Sequence, residues 1–218
     1  MPKTPSQKEG VFYCKINPER QSKIARVHAR THTTLFPLLR RLSDGRFHSG
    51  QALAHEFNLS RTSIFNTLTL AKSMGLTVHA VQGRGYRLPA PIEWLDGEVV
   101  TRHLGTSKGA YTIHILDSVD STNTALMSAA LNGAADGTLF CSEHQKAGKG
   151  RRGRQWHSVL GGSLTFSVLW RFENGLQSLS GLSLAVGLAI ARAINRHSRH
   201  PARLKWPNDV LVDYRKLA

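Results

Sequence analysis

Cysteine is nearly absent: Cys14 and Cys141 are the only two in 218 residues, and they stand far apart. That excludes a disulfide framework or a cysteine-built metal centre and predicts a reducing, cytoplasmic setting. No apolar run reaches the roughly 18 residues of a membrane helix, so no membrane span or membrane partner is expected. The N-terminus lacks the apolar stretch of a secretory signal. The 11 histidines are scattered, and although His28 and His32 are four apart, no cysteine or carboxylate cluster joins them. No protein-bound metal is predicted. Acidic residues are scarce too, 14 against 29 lysines and arginines, which leaves a net charge of +15 and a pI near 10.6. Such a balance favours a polyanionic partner. A hydrophobic content of 40% with a mean hydropathy of -0.27 predicts a soluble globular chain with a real core.

Part of the charge is local. Residues 1–32 carry Lys3, Lys8, Lys15, Arg20, Lys23, Arg26 and Arg30 against Glu9 and Glu19. Weak periodicity there predicts a disordered basic extension, which fits either contact with DNA phosphates or a segment without function. From residue 33 to 89 the pattern changes. Leu35, Leu38, Leu39 and Leu42 follow the i, i+3, i+4, i+7 spacing of one helix face, and Asp44-Gly45 ends it. Ser49 is placed to cap a second helix through Phe57, and Ser60 a third over Arg61–Met74, which Gly75 stops. Thr77–Val81 and Gly85–Leu88 read as strands around Gly83-Arg84-Gly85. Three helices and a hairpin predict a winged helix-turn-helix. Its third helix would offer Arg61, Thr62 and Ser63 to base edges, and the wing would offer Arg84. Pro89-Ala90-Pro91 then opens a stiff linker and connecting segment over 90–109.

The remainder, 110–218, reads as an α/β or α+β layer fold. Strands are expected over Tyr111–Leu116, Gly137–His144, Ser163–Phe172, Arg203–Trp206 and Val210–Asp213, and helices over Ser121–Leu131 and Leu179–Ile194. Between two of the strands lies KAGKGRRGRQW, Lys146 to Trp156, where five cations alternate with Gly148, Gly150 and Gly153. The glycines match G-x-G-x-x-G, yet no helix follows them and no G-K-[ST] is present, so neither a dinucleotide fingerprint nor a Walker A loop is predicted. A cationic, glycine-loosened loop between strands suits closure over a phosphate or acyl phosphate.

Four motifs occur in one order: Asp120-Ser121-Thr122-Asn123, then Gln145 through Trp156, Lys205-Trp206-Pro207-Asn208-Asp209, and Arg215-Lys216-Leu217-Ala218. From about Asp117 to Ala218 this order resembles the biotin-protein ligase family. HSGQALAHEFNLSRTSIFNTL with GRGYRLP resembles the repressor domain of its bifunctional members. The resemblance implies biotin and Mg-ATP as substrates, with Mg2+, and a biotinyl-5′-adenylate that is transferred to a lysine of a biotin carboxyl carrier protein. It also implies operator DNA as a partner and a homodimer driven by the adenylate. Carried over, the biotin-binding residues are Ser121, Thr122, Asn123, Gln145, Lys149, Gly150, Arg151 and Lys216. The ATP and adenylate residues are Arg151, Arg152, Trp156, Lys205, Asn208 and Asp209, and Arg151 and Lys216 carry the catalytic charge. Lys149 stands where the family usually has Arg, which costs bidentate phosphate contact there.

The family continues past Ala218 with further catalytic-domain structure and a small β domain. From that the sequence predicts a frayed Lys216 and an unpaired sheet edge. Two other functions fit the same residues: a DNA-binding regulator whose shortened ligase part is inactive, and a relative of the lipoate or octanoate ligases.

Overall fold

The computed structural model describes residues 33–173 and 179–218. The basic extension over 1–32, with Cys14, His28 and His32, lies outside the described residues. Two compact units are found, one running through Leu169 and the other spanning Trp170–Ala218.

In the first unit, helix α1 covers residues 33–42, and its Leu35, Leu38, Leu39 and Leu42 are buried as the spacing requires. Helix α2, Gly50–Glu56, is capped by Ser49, whose Oγ accepts from Ala52 N at 3.0 Å. Helix α3, Arg61–Ser73, is capped by Ser60, whose Oγ accepts from Ser63 N at 3.0 Å. Each cap satisfies an N–H that the helix leaves orphaned. Leu53, Ala54, Ile64, Leu68 and Ala71 close this core against α1. Strands β1, His79–Val81, and β2, Gly85–Arg87, form the antiparallel wing. The wing is tied back to the segment that enters α2, because His48 and Tyr86 exchange backbone hydrogen bonds of 2.9 and 2.8 Å. A Cβ at Gly85 would collide with the His48 carbonyl, so this close approach requires glycine.

The connecting segment is more structured than its composition suggests. Trp94 meets Phe36 of α1 edge to face at 6.3 Å, and its Nε1 donates to Ser43 Oγ at 3.1 Å. Helix α4, Gly97–His103, follows an Asp96 cap and buries no residue, and Gly105–Ala110 forms a 3-10 turn. Strand β3, Thr112–Leu116, then leads through helix α5, Thr122–Leu131, to β4, Thr138–Ser142, which runs parallel to β3. The chain continues through the hairpin of β5, Gly148–Lys149, and β6, Gln155–Trp156, to β7, Thr165–Val168, which pairs antiparallel with β4. The sheet order is β3-β4-β7. Strand β7 is shorter than the predicted 163–172. Its partner β4 begins at Thr138, so after Leu169 bonds Thr138 O and Gly137 N no ladder remains to extend it.

In the second unit, helix α6 spans Leu182–His197 rather than 179–194. Gly181, at φ +83°, takes a left-handed conformation that cannot continue a helix, and its carbonyl accepts from the Leu184 and Ala185 N–H groups of α6. Strands β8, Ala202–Lys205, β9, Asp209–Val212, and β10, Arg215–Lys216, form an antiparallel meander. Asn195 of α6 clamps it: Ala202 N donates to Oδ1 at 2.6 Å and Nδ2 donates to Ala202 O at 3.2 Å. The expectation of a frayed Lys216 is corrected. Lys216 pairs with Leu211 across the ladder, and Val210 and Ala218 exchange backbone bonds just beyond it.

Candidate functional site

Parallel pairing builds the first cluster. Beyond the ends of β3 and β4 the two chains stay side by side, with Val119 N donating to His144 O, Lys146 N to Val119 O and Ala147 N to Asp120 O. Ser121 and Thr122 therefore arrive beside Gln145 at the carboxyl ends of parallel strands, the usual place for ligands in open α/β sheets. Ser121 caps α5, and its Oγ lies 3.4 Å from Thr124 N. Thr122, 2% exposed, gives both its N–H, at 2.7 Å, and its hydroxyl, at 3.1 Å, to Gln145 Oε1. With that proton committed, Thr122 Oγ1 accepts from Ser167 Oγ at 2.8 Å. A relay Ser167–Thr122–Gln145 results, buried at Thr122 and Gln145 and half-buried at Ser167. It holds the glutamine amide with its Nε2 donors turned toward Gly148, where a Cβ would approach Nε2 to 2.9 Å and Trp156 O to 2.6 Å. Asn123 is exposed on the first turn of α5.

The basic loop is a short hairpin. Gly148 pairs with Trp156 and Lys149 with Gln155, and Gly150 N donates to Arg154 O at 2.7 Å. Arg151–Gly153 form a 3-10 turn, with Arg152 at φ 56° and Gly153 at φ 73° both left-handed. Lys149, Arg152 and Arg154 are exposed, so their charges stay solvated, while Gly148 is buried against the relay. Trp156 is 36% exposed on β6.

Three polar groups beside this cluster were not assigned roles from sequence. Glu143, 3% exposed, accepts from Leu95 N at 2.7 Å, and burial pushes its carboxyl above the ordinary range. Arg40 of α1 is ion-paired with Asp117 at the end of β3 and lies 4.9 Å over the Trp94 ring. The Asp117 hydrogen bond raises the Arg40 pKa against the opposing effect of burial. Among the described residues the buried Nδ1 of His144 has no partner, and burial, with help from Lys146, lowers its pKa. These links span 48 and 77 residues of chain, so local spacing carries no trace of them.

The second unit holds the other predicted residues. Lys205 ends β8 and pairs with Asp209, which opens β9; Trp206–Pro207, a cis peptide, and Asn208 make the turn between them. Lys216 Nζ donates to Asp209 Oδ1 at 2.6 Å, so two predicted site residues are joined directly. Among the described residues no group of three or more His, Cys, Asp or Glu could hold a metal, and no helix is long and apolar enough to cross a membrane.

Of the residues predicted to meet DNA, Arg61 and Thr62 are exposed at the front of α3, whereas the Ser63 hydroxyl sits 2.9 Å from Ser60 Oγ within the cap. Arg84 and Arg87 flank the Phe47 ring, with guanidinium carbons 4.3 and 4.8 Å from its centroid. Sequence reading missed Phe47 because its partners lie far along the chain.

Comparison with known proteins is consistent with both parts. Residues 115–218 match the biotin/lipoate A/B protein ligase family, and residues 34–87 match an HTH domain. The chain is 37% identical over 186 residues to the bifunctional ligase/repressor BirA of Salmonella typhimurium, covering 85% of this chain and 57% of that protein. To BirA of Escherichia coli it is 35% identical over 189 residues, covering 87% and 57%. A solved biotin protein ligase from Aquifex aeolicus, in complex with biotin and ATP, aligns at a TM-score of 0.42 and 37% identity over 48% of this chain and 43% of that one. The chain thus spans little more than half the length of the BirA relatives it matches.

Proposed function

Because the chain carries a biotin/lipoate A/B protein ligase domain behind an HTH domain, we propose that it serves an ATP-dependent biotin-protein ligase that also represses transcription. In this reading a biotin carboxylate oxygen attacks the α-phosphorus of ATP. The bond to the β-phosphate oxygen breaks, pyrophosphate leaves and biotinyl-5′-adenylate forms. A carrier-protein lysine then attacks the acyl carbon, and AMP leaves as the amide forms.

The observation that carries the reading is the Ser167–Thr122–Gln145 relay, with Thr122 and Gln145 buried. A ureido ring needs a few fixed donors and acceptors in an otherwise apolar slot. The relay fixes Gln145 so that its Nε2 hydrogens remain to donate, and the Ser121 hydroxyl adds another donor. Asn123 lies at the rim. Carboxylate and α-phosphate are both anionic, so their approach requires fixed cations that also stabilise the charge developing between them. Lys149, Gly150 and Arg151 of the hairpin and Lys216 of β10 are assigned to that role, with Arg152, Trp156, Lys205, Asn208 and Asp209 to the adenylate. Magnesium enters with the nucleotide as Mg-ATP.

Operator DNA is bound in this reading by Arg61, Thr62, Ser63 and Arg84, and adenylate-driven homodimerisation links ligand to repression. The arginine-rich loop and Lys205–Asp209 motif favour biotin over lipoate or octanoate. Incubation with biotin and labelled ATP tests the enzymatic half: biotinyl-adenylate is expected, and Arg151→Ala should lower its formation about tenfold or more, the cost of one charge-assisted contact. Adenylate from lipoate or octanoate alone would point to the other branch. No adenylate from any acid, with operator binding intact, would leave a DNA-binding regulator.

A further inference from the structure

The outward face of α3 carries more than the arginine at its front. Ile64, Thr67, Leu68 and Ala71 are buried in the core. Arg61, Thr62, Phe65, Asn66 and Thr69 therefore share the solvent side, at the i, i+4 spacings of one helix face. Phe65 is 56% exposed, although this small domain has a leucine-rich core close at hand. Thr69 has already given its hydroxyl to Phe65 O at 2.9 Å. The Asn66 side chain, by contrast, is exposed and has no hydrogen-bond partner among the described residues. Between Arg61 and Lys72 the face holds no charge at all.

Resting on the DNA-binding reading above, we infer that Phe65 and Asn66 read adjacent A·T pairs in the major groove. The groove, about 12 Å wide, admits an α-helix with its side chains. An asparagine amide offers one donor and one acceptor side by side, which matches adenine N7 and N6–H2 and no other base edge as well. The aromatic ring supplies apolar contact to a thymine C5-methyl, the one apolar group a base edge presents. Selecting guanine at these positions would need Arg or Lys, and neither is present. Guanine contact is left to Arg61 at the end of the face. Positive charge on the wing, where Arg84 and Arg87 flank Phe47, fits phosphate and positions the helix without reading sequence. The expected half-site has an A·T centre beneath positions 65 and 66.

The test uses the full chain and a randomised duplex DNA library at near-physiological salt, with and without biotin and ATP. The selected duplex is then remade with deoxyuridine for thymidine and with 7-deazaadenine for adenine at each central position. Loss of one methyl should weaken parent binding about fourfold, and loss of adenine N7 about tenfold. Phe65→Ala should be blind to the first change and Asn66→Ala to the second. Both alanines favour helix, so retained helicity and melting temperature separate altered reading from misfolding. A selected half-site with G·C at its centre overturns this inference and leaves the DNA-binding reading standing. So does an analogue penalty that both variants share with the parent. If no sequence is enriched in any condition, the inference and the DNA-binding reading fall together.

Discussion

Replacing Gly148 by alanine tests how the hairpin and the glutamine are joined. A Cβ at this position would lie 2.6 Å from Trp156 O, 2.9 Å from Gln145 Nε2 and 3.1 Å from Trp156 Cβ. The second and third contacts involve side chains that can swing. The first involves the backbone of β6, so β5 and β6 must part by several tenths of an ångström. Overpacking of this kind costs about 1–3 kcal/mol. Among the described residues, two ladder pairs and the Gly150 N–Arg154 O bond hold the hairpin, and each hydrogen bond contributes about 1 kcal/mol net. The two magnitudes are similar, so the hairpin opens before the domain does. The global penalty is then capped near the stability of the hairpin itself, about 2 kcal/mol, and the melting midpoint falls by no more than roughly 8 °C.

The larger effect is on ligand binding. In the proposed biotin-binding reading, the added Cβ crowds Nε2 of Gln145 out of its place although Thr122 still holds Oε1, and biotin affinity should fall about tenfold or more for the loss of one well-placed hydrogen bond to a buried polar group. Hydrogen exchange at the Gly150 amide reports the opening, and titration calorimetry with biotin reports the consequence. Two neighbours calibrate the result. At Gly150 a Cβ meets Arg154 O at 3.2 Å, a milder contact, and at Gly153 it meets nothing within 4 Å, so only the left-handed φ of +73° opposes a side chain. The loss of biotin affinity should rank Gly148→Ala above both. Adding Gln145→Ala removes the 2.9 Å contact but not the 2.6 Å one, so Gly150 should remain unprotected in the double variant. A Gly148→Ala protein that keeps Gly150 protection and parental biotin affinity would refute the reasoning.

Other perturbations follow from the same geometry. Burial raises the Glu143 carboxyl, so the folded state holds that proton to higher pH than the unfolded chain and loses stability as pH rises through the interval. Glu143→Gln, which can still accept from Leu95 N, should match the parent in melting temperature at about pH 4 and exceed it at about pH 7.5; a less stable variant at the higher pH would contradict the sign. Phe47→Leu removes the ring between Arg84 and Arg87 and should weaken operator and scrambled DNA alike in fluorescence anisotropy, since each cation–π contact contributes about 0.5–1 kcal/mol. The Lys216–Asp209 pair is solvent-exposed, so Lys216→Ala should change unfolding free energy by less than about 1 kcal/mol in urea titration while adenylate formation falls about tenfold or more; equal losses in both would make Lys216 structural.

What was legible in the sequence follows how far each signal reaches. Helices α1 to α3 rest on leucine spacing and serine caps a few residues apart, and they appear almost where the pattern puts them. Helix α4 buries no residue, so it leaves no apolar stripe to read, and its Asp96 cap alone resembles any turn. The two-residue strands β5, β6 and β10 are shorter than any periodicity window. The start of α6 was misplaced because Leu179 and Leu182 extend the apolar pattern across Gly181, whose left-handed φ, not its neighbours' hydropathy, sets the boundary. The site divides the same way. Ser121, Thr122 and Gln145 belong to motifs whose residue types are visible locally, but nothing local says that Thr122 gives both its donors to Gln145. That pairing exists because β3 and β4 run parallel and their extensions bring Val119 beside Gln145. Parallel strands need a crossover between them, so the partners are separated by the whole of α5, and their contact becomes visible only once the sheet is built. The same sheet carries Asp117 to Arg40 and Glu143 to Leu95, which ties the segment before α4 and the first helix of the HTH domain to the strand ends that present the relay. A substitution at Arg40 or Glu143 should therefore register in biotin affinity as well as in stability, although neither residue belongs to any motif of the ligand cluster.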